Sequence, residues 1–304
     1  MRVAVVGTGV IGTSWVRLFL AHGHDVVATD PAPGAEERLR ETVGDVDRLR
    51  STSDPAQAVT GADFVQENGP ERLEVKHELL GVLDAATPPH AVIASSSSVL
   101  RPTDLARGAA VHPERVLVGH PLNPPHLVPL VEVVPGERTS EAALEAAVAC
   151  YRAVGRTPLR LRAELPGHLA NRLQAALWRE AYSLVARGVA TVADVDTAIT
   201  EGPGLRWAAL GPFVGQHLSG GPGGIAHVLE HLGPGTEALW ADLGEASHTP
   251  ELVARITDQV DAALAGTEPD DLLARRDAVI RAVLAARGAE RDRAPHTTRH
   301  PESR

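Results

Sequence analysis

The chain has 304 residues, 43% of them hydrophobic, which is enough to bury one large core or two smaller ones and excludes wholesale disorder. Its formal net charge of −10 repels phosphate backbones, so nucleic acid is not an expected partner. A single cysteine, Cys150, excludes an intrachain disulfide and fits a reducing interior, so the expected location is cytoplasmic.

The opening MRVAVVGTGV lacks the basic and apolar regions of a signal peptide and reads as a first strand. No charge-free apolar run approaches the roughly 18 residues of a membrane span. Val3 to Val6 is a β-branched run suited to a buried parallel strand. Gly7-x-Gly9-x-x-Gly12 follows, then an amphipathic stretch to His22 with Trp15, Leu18 and Phe19 at helical spacing. A second apolar run, Val26 to Ala28, ends at Asp30.

That layout predicts a dinucleotide site. The first glycine permits the tight turn, the second lets backbone approach a pyrophosphate, and the third lets helix pack on strand. The helix start offers unpaired N–H groups and partial positive charge to the phosphates, so Val10 and Ile11 belong to the cradle. Asp30, 18 residues beyond Gly12, stands where a carboxylate binds ribose hydroxyls and repels a 2′-phosphate, which favours NAD over NADP. FAD uses the same cradle, and the motif alone does not separate the two.

Further along, Asp63 to Gln66, Ala91 to Ser95, Val116 to Gly119, Leu130 to Val134 and Thr157 to Leu161 read as strands. Arg72 to Leu83 and Glu141 to Val154 read as helices. The alternation defines an α/β doubly wound sheet of Rossmann type over residues 1–164. From Pro166 the character changes. A long helix runs through Gln174 and Trp178 to Val185, and an all-helical domain over 165–288 is expected. EGPGLRW at 201–207 and SGGPGG at 219–224 read as its breaks. The polar tail, 289–304, is expected to be disordered.

Ligands of open α/β sheets lie beyond the carboxyl ends of the strands, and the reactive side chains cluster there. Ser95 to Ser98 follow one strand, and His120 ends another. Asn171 opens the second domain, and Glu132 lies twelve residues past His120. Burying a charge in so apolar a stretch as GHPLNPPHLVPLVEVV is costly unless it is paired. A histidine beside a carboxylate is the simplest general base for an alcohol, with a hydroxyl and an amide to hold the substrate oxygen. Blander roles compete: a lone buried histidine is as often structural, and His126 lies in the same loop. Serine runs are common turn material, and asparagine after Pro-Gly is a frequent helix cap. Lys76 is the one lysine of the chain, so any lysine-dependent mechanism must use it.

FVQENGPE, SSSSVL, GHPLNPPHLVPLVEVV, ANRLQAALWREA and EGPGLRWAALGPF, with the glycine motif, resemble the 3-hydroxyacyl-CoA dehydrogenase family, in the branch of the gulonate and carnitine dehydrogenases. The resemblance spans the chain from VAVVGTGVIG to about residue 284. It implies an NAD cofactor, no metal, and a homodimer through the C-terminal helices. It also implies oxidation of the 3-hydroxyl of an L-3-hydroxy acid. It assigns catalysis to His120, Glu132, Ser98 and Asn171. It adds Glu67 and Ser96 to the cofactor site, Glu67 near the nicotinamide end. Ser96 stands where acyl-CoA members commonly carry asparagine, and HPLNPP replaces their phenylalanine-rich HFFNP. Both departures favour a free acid over a thioester. Asn123 and Arg206 are the expected substrate contacts, Arg206 toward a carboxylate or else in an ion pair. Trp178 and Trp207 offer an aromatic wall for a quaternary ammonium, or serve as helix core. GPGLRWA and GGPGG look carnitine-like and LNPPHLVPLVEVV gulonate-like. A thioester dehydrogenase and a non-catalytic NAD-binding protein are the alternatives. A lysine-dependent 3-hydroxyacid dehydrogenase is disfavoured, because GHLANRLQ holds no lysine.

Overall fold

In β1 (Arg2–Val6), Val3 and Val5 enter one hydrophobic cluster while Ala4 and Val6 enter another, so the strand is buried on both faces. That is why its sequence is continuously apolar instead of alternating. The structure is a computed structural model that describes residues 1–293. It divides into a compact unit Met1–Arg172 and a second that begins at Leu173.

The first unit continues through α1 (Val10–Ala21), β2 (Asp25–Thr29), α2 (Ala35–Val43), β3 (Leu49–Thr52), α3 (Pro55–Val59) and β4 (Phe64–Glu67). Then come α4 (Leu73–Ala86), β5 (Val92–Ser95), α5 (Pro102–Leu105), β6 (Val116–Pro121), β7 (Leu130–Val134), α6 (Glu141–Ala153) and β8 (Thr157–Arg160). The eight strands form one sheet in the order β3-β2-β1-β4-β5-β6-β7-β8. β1 to β6 are parallel, and β7 runs antiparallel to β6. The order reverses between β1 and β4, and that switch point is where doubly wound sheets bind ligands.

On one face Trp15 and Phe19 of α1 meet Phe64 and Tyr151. Trp15 packs 5.6 Å from Phe19 and 5.5 Å from Tyr151, centroid to centroid, and Phe64 meets Tyr151 edge-on. On the other, Leu80 and Leu83 of α4 cover Val65 and Ile93. Sequence reasoning missed β3. It is an edge strand of four residues in which Leu49 alone is fully buried, so it carries no apolar run to read.

α7 (Ala170–Ala186) opens at the end of the first unit. The second unit adds α8 (Val192–Thr200), α9 (Pro203–Ala209), α10 (Pro212–Ser219), α11 (Gly224–Asp242), α12 (Pro250–Ala263) and α13 (Pro269–Arg293). EGPGLRW, expected as a break, instead starts α9. Pro203 occupies its first turn, where the missing N–H costs nothing. SGGPGG does break the helices: Gly221 and Gly224 have φ of 55° and 60° between α10 and α11. α13 carries residues 289–293 in helix, and the rest of the expected tail lies outside the described residues.

Candidate active site

The phosphate cradle is built as its glycines require. Gly7 has φ 87°, and a Cβ there would come within 2.7 Å of the Asn68 carbonyl oxygen. A Cβ on Gly12 would lie 1.8 Å from the Gly7 carbonyl oxygen, so α1 can cross β1 this closely only with glycine. A Cβ on Gly9 meets nothing within 4 Å: that face is open for approach. Gly9 is also the N-cap of α1 and provides no side-chain cap, which leaves the N–H groups of Val10 and Ile11 to an anion.

Asp30, just past β2, accepts from the Thr8 N–H (2.7 Å) and hydroxyl (3.1 Å) with one oxygen, and from the Ala32 N–H (2.9 Å) with the other. It therefore shapes the turn as well as facing the cleft. A cleft of about 710 Å³ runs from Gly7 and Gly9 past Asp30 to Asn68 and Gly69, across the switch point. An open helix N-terminus, a glycine floor and a carboxylate at the end of β2 fit an adenine dinucleotide.

His120 and Glu132 are cross-strand partners in the β6–β7 pair, and Nδ1 of His120 lies 2.9 Å from a Glu132 oxygen. Both side chains are buried. A carboxylate accepts only, so Nδ1 carries a proton, and Nε2 is the nitrogen left to exchange one with a substrate. The other Glu132 oxygen accepts from the N–H groups of Leu169 (2.8 Å) and Ala170 (3.0 Å) at the start of α7. Burial alone would raise the Glu132 pKa. The hydrogen bond from His120 and the two backbone donors outweigh it, and the carboxyl is held below its usual 4.5.

Asn171 sits one residue into α7, and its Nδ2 donates to the Ser98 carbonyl oxygen at 3.3 Å. Ser98, partly exposed, is thus brought beside Asn171 through its backbone. Its own N–H donates 3.0 Å to Glu71, as does that of Val99. Glu71 also receives the Ser97 hydroxyl at 2.6 Å, so one carboxylate holds the whole serine loop. Sequence reasoning missed this residue. The clue was its place in FVQENGPE, where a carboxylate follows Gly-Pro at the end of β4. Burial raises the Glu71 pKa, but Ser97, the loop N–H groups and the Lys76 charge hold it below 4.5.

Ser96 belongs to a buried polar network. Its hydroxyl accepts from Gln66 (2.9 Å) and Trp15 (3.3 Å) and donates to Asn68 (2.7 Å), while the Tyr151 hydroxyl donates to Gln66 (2.7 Å). Asn68 is the member of the network that lines the cleft. Glu67 is wholly buried and does not present its side chain to the cleft. Both of its oxygens accept from Lys76 at 2.9 Å, and Ser95 and the Gly69 N–H complete the shell at 2.5 Å each. Its contact to the cleft runs through Gly69.

His126 is engaged elsewhere: its N–H donates to Ser14 of α1 at 2.9 Å, and its Nδ1 lies 2.7 Å from the same hydroxyl. Asn123 is exposed in the β6–β7 loop, ahead of a cis bond to Pro124. In the second unit Arg206 is exposed on α9 and makes no ion pair among the described residues. Trp178 and Trp207 are about half exposed, so neither is helix core. His168 was also missed. Its ring packs 5.2 Å from that of His120.

The fold and cleft define a dinucleotide-dependent dehydrogenase followed by a helical domain. The family model "3-hydroxyacyl-CoA dehydrogenase, NAD binding domain" matches residues 2–164, and the C-terminal domain model matches residues 167–251. An L-carnitine dehydrogenase of Streptomyces coelicolor is 49% identical over 94% of this chain and 95% of its own. Others match at 42–48%. A protein named 3-hydroxyacyl-CoA dehydrogenase from Gibberella moniliformis is 42% identical over 94% of each chain. Among solved structures, the NAD-dependent 5-formyl-3-hydroxy-2-methylpyridine 4-carboxylic acid 5-dehydrogenase superposes with a TM-score of 0.78 at 28% identity, over 94% of this chain and 97% of that one. The chain belongs to the 3-hydroxyacyl-CoA dehydrogenase family, and its cofactor is NAD.

Proposed function

We propose that the chain oxidises the 3-hydroxyl of a small free L-3-hydroxy acid, L-carnitine first among candidates, with NAD as acceptor. The buried His120–Glu132 pair at the carboxyl ends of the strands carries this reading. His120 Nε2 accepts the hydroxyl proton, and Glu132 fixes the tautomer and offsets the charge gained by the ring. The Gly7–Gly12 cradle and Asp30 would hold the NAD, which would supply the hydride acceptor for C3 as the hydroxyl becomes a ketone. Asn171 and the Ser98 hydroxyl hold the substrate oxygen. Ser96 in the Gln66–Asn68 network and the HPLNPP loop favour a free acid, and Arg206 is the substrate-carboxylate candidate. The carnitine-named relatives favour a quaternary ammonium over a gulonate-type tail.

Exposed Trp207, Phe213, Val214, Leu218 and Trp240 on the second unit support a homodimer through these helices, since patches of this kind mark interfaces. Light scattering at twice the chain mass checks it. The lone cysteine, Cys150, accords with work in a reducing compartment such as the cytoplasm.

The test is NAD reduction with L-carnitine, L-gulonate, L-3-hydroxybutyrate and L-3-hydroxybutyryl-CoA in parallel. Turnover of a free acid supports the proposal; turnover of the thioester alone overturns it.

A further inference from the structure

We propose that His168 is a positioning residue: it ties the serine loop to the start of α7 and so keeps Glu132 aligned on His120. The inference rests on reading His120 and Glu132 as the catalytic pair. His168 is fully buried two residues ahead of α7. Its Nε2 lies 3.0 Å from the Ser97 carbonyl oxygen, an acceptor, so Nε2 donates. Its Nδ1 is buried with no hydrogen-bond partner, which a lone pair tolerates and an N–H does not. The ring is therefore the neutral Nε2–H tautomer.

The charged groups around it agree. Burial, first, and then His120 on β6 lower its pKa, against the Ser97 carbonyl, Glu132 on β7 and Glu71 before α4. A neutral ring at 5.2 Å gives His120 a fixed wall without a competing charge.

His168 has φ 50°, the one positive value for a non-glycine residue among those described, and follows Gly167 at φ 74°. Left-handed backbone is uncommon outside glycine and costs free energy that the surrounding contacts must offset. Here it turns the chain so that the next two N–H groups, of Leu169 and Ala170, both meet Glu132. The residue after those, Asn171, reaches Ser98. One side chain thus fixes the loop carrying Ser98 and the helix start that grips Glu132.

The test uses three variants of the full chain. His168→Phe keeps a ring and removes the donor. His168→Asn suits left-handed backbone but is too short to reach Ser97, so it carries the test if the first variant does not fold. His168→Gln restores a donor near the Nε2 position. Displacing reacting groups costs up to about 100-fold, so kcat is expected to fall about 10- to 100-fold in the first two, with KM for NAD unchanged. In His168→Gln it is expected to stay within about threefold of wild type. In a Glu132→Gln background, His168→Asn should cost less than about twofold, because coupled residues are not additive. Equal losses in both backgrounds, or no loss, overturn the proposal. A substrate-free measurement separates it from the choice of substrate: the His120 Nδ1 proton, assigned by its absence in His120→Ala, is expected to be observable by NMR in wild type and broadened by exchange in His168→Asn. An undisturbed signal overturns the proposal even if no tested acid reacts.

Discussion

His120 and Glu132 face each other across an antiparallel strand pair, directly opposed in register and 2.9 Å apart. A slip of one residue would send one of them to the far face of the sheet, so the sheet register itself builds the dyad. The twelve-residue spacing follows from the strand pairing and the loop, 122–129, that reverses direction between β6 and β7.

Glu132→Gln tests what the carboxylate adds. The amide keeps volume but cannot offset an imidazolium, and it can present an N–H to Nδ1. kcat is expected to fall about 10²- to 10⁴-fold while NAD binding, followed by fluorescence, is unchanged. A loss confined to KM would contradict the assigned role.

Asp30→Ser should weaken NAD and relax the bias against NADP. Removing a charged hydrogen-bond partner of the ribose is expected to raise KM for NAD about tenfold or more. The ratio of NADP to NAD efficiency rises with it, measured by initial rates on both cofactors. An unchanged ratio would mean Asp30 serves only the turn that carries Thr8 and Ala32.

Lys76→Met separates structure from chemistry. Breaking a buried ion pair from one side costs about 3–5 kcal/mol, here by leaving Glu67 buried without its cation. Denaturant unfolding should show that loss, while kcat of the folded fraction stays within a few-fold of wild type. Abolished turnover in folded protein would restore a lysine mechanism.

The acid limb of stability should carry the mark of Glu71 and Glu132. Both carboxyls are held below 4.5 in the folded chain, so their contribution is complete above that value and is lost as pH falls through it toward the folded values. Glu71→Gln is expected to flatten the fall in melting temperature below about pH 4.5 and to lower stability at neutral pH. Parallel curves for variant and wild type would contradict this.

The cradle was legible because glycine at positions 7, 9 and 12 follows from steric demands that the sequence displays directly. His120 with Glu132 was legible as an ionisable pair in an apolar stretch. Glu71 and His168 were not, because their roles depend on where a loop and a helix start meet. Glu67 was expected near the cofactor and lies buried against Lys76, a pairing that nine residues of separation and an intervening loop conceal. β3 escaped because an edge strand buries one face and needs few apolar residues.

The most direct measurement is the steady-state rate of NAD reduction by L-carnitine for wild type and His120→Ala, with NAD affinity measured on both. Turnover is expected in wild type, with a loss of about 10²- to 10⁴-fold in the variant and equal NAD affinity. Full turnover without the His120 imidazole would contradict it.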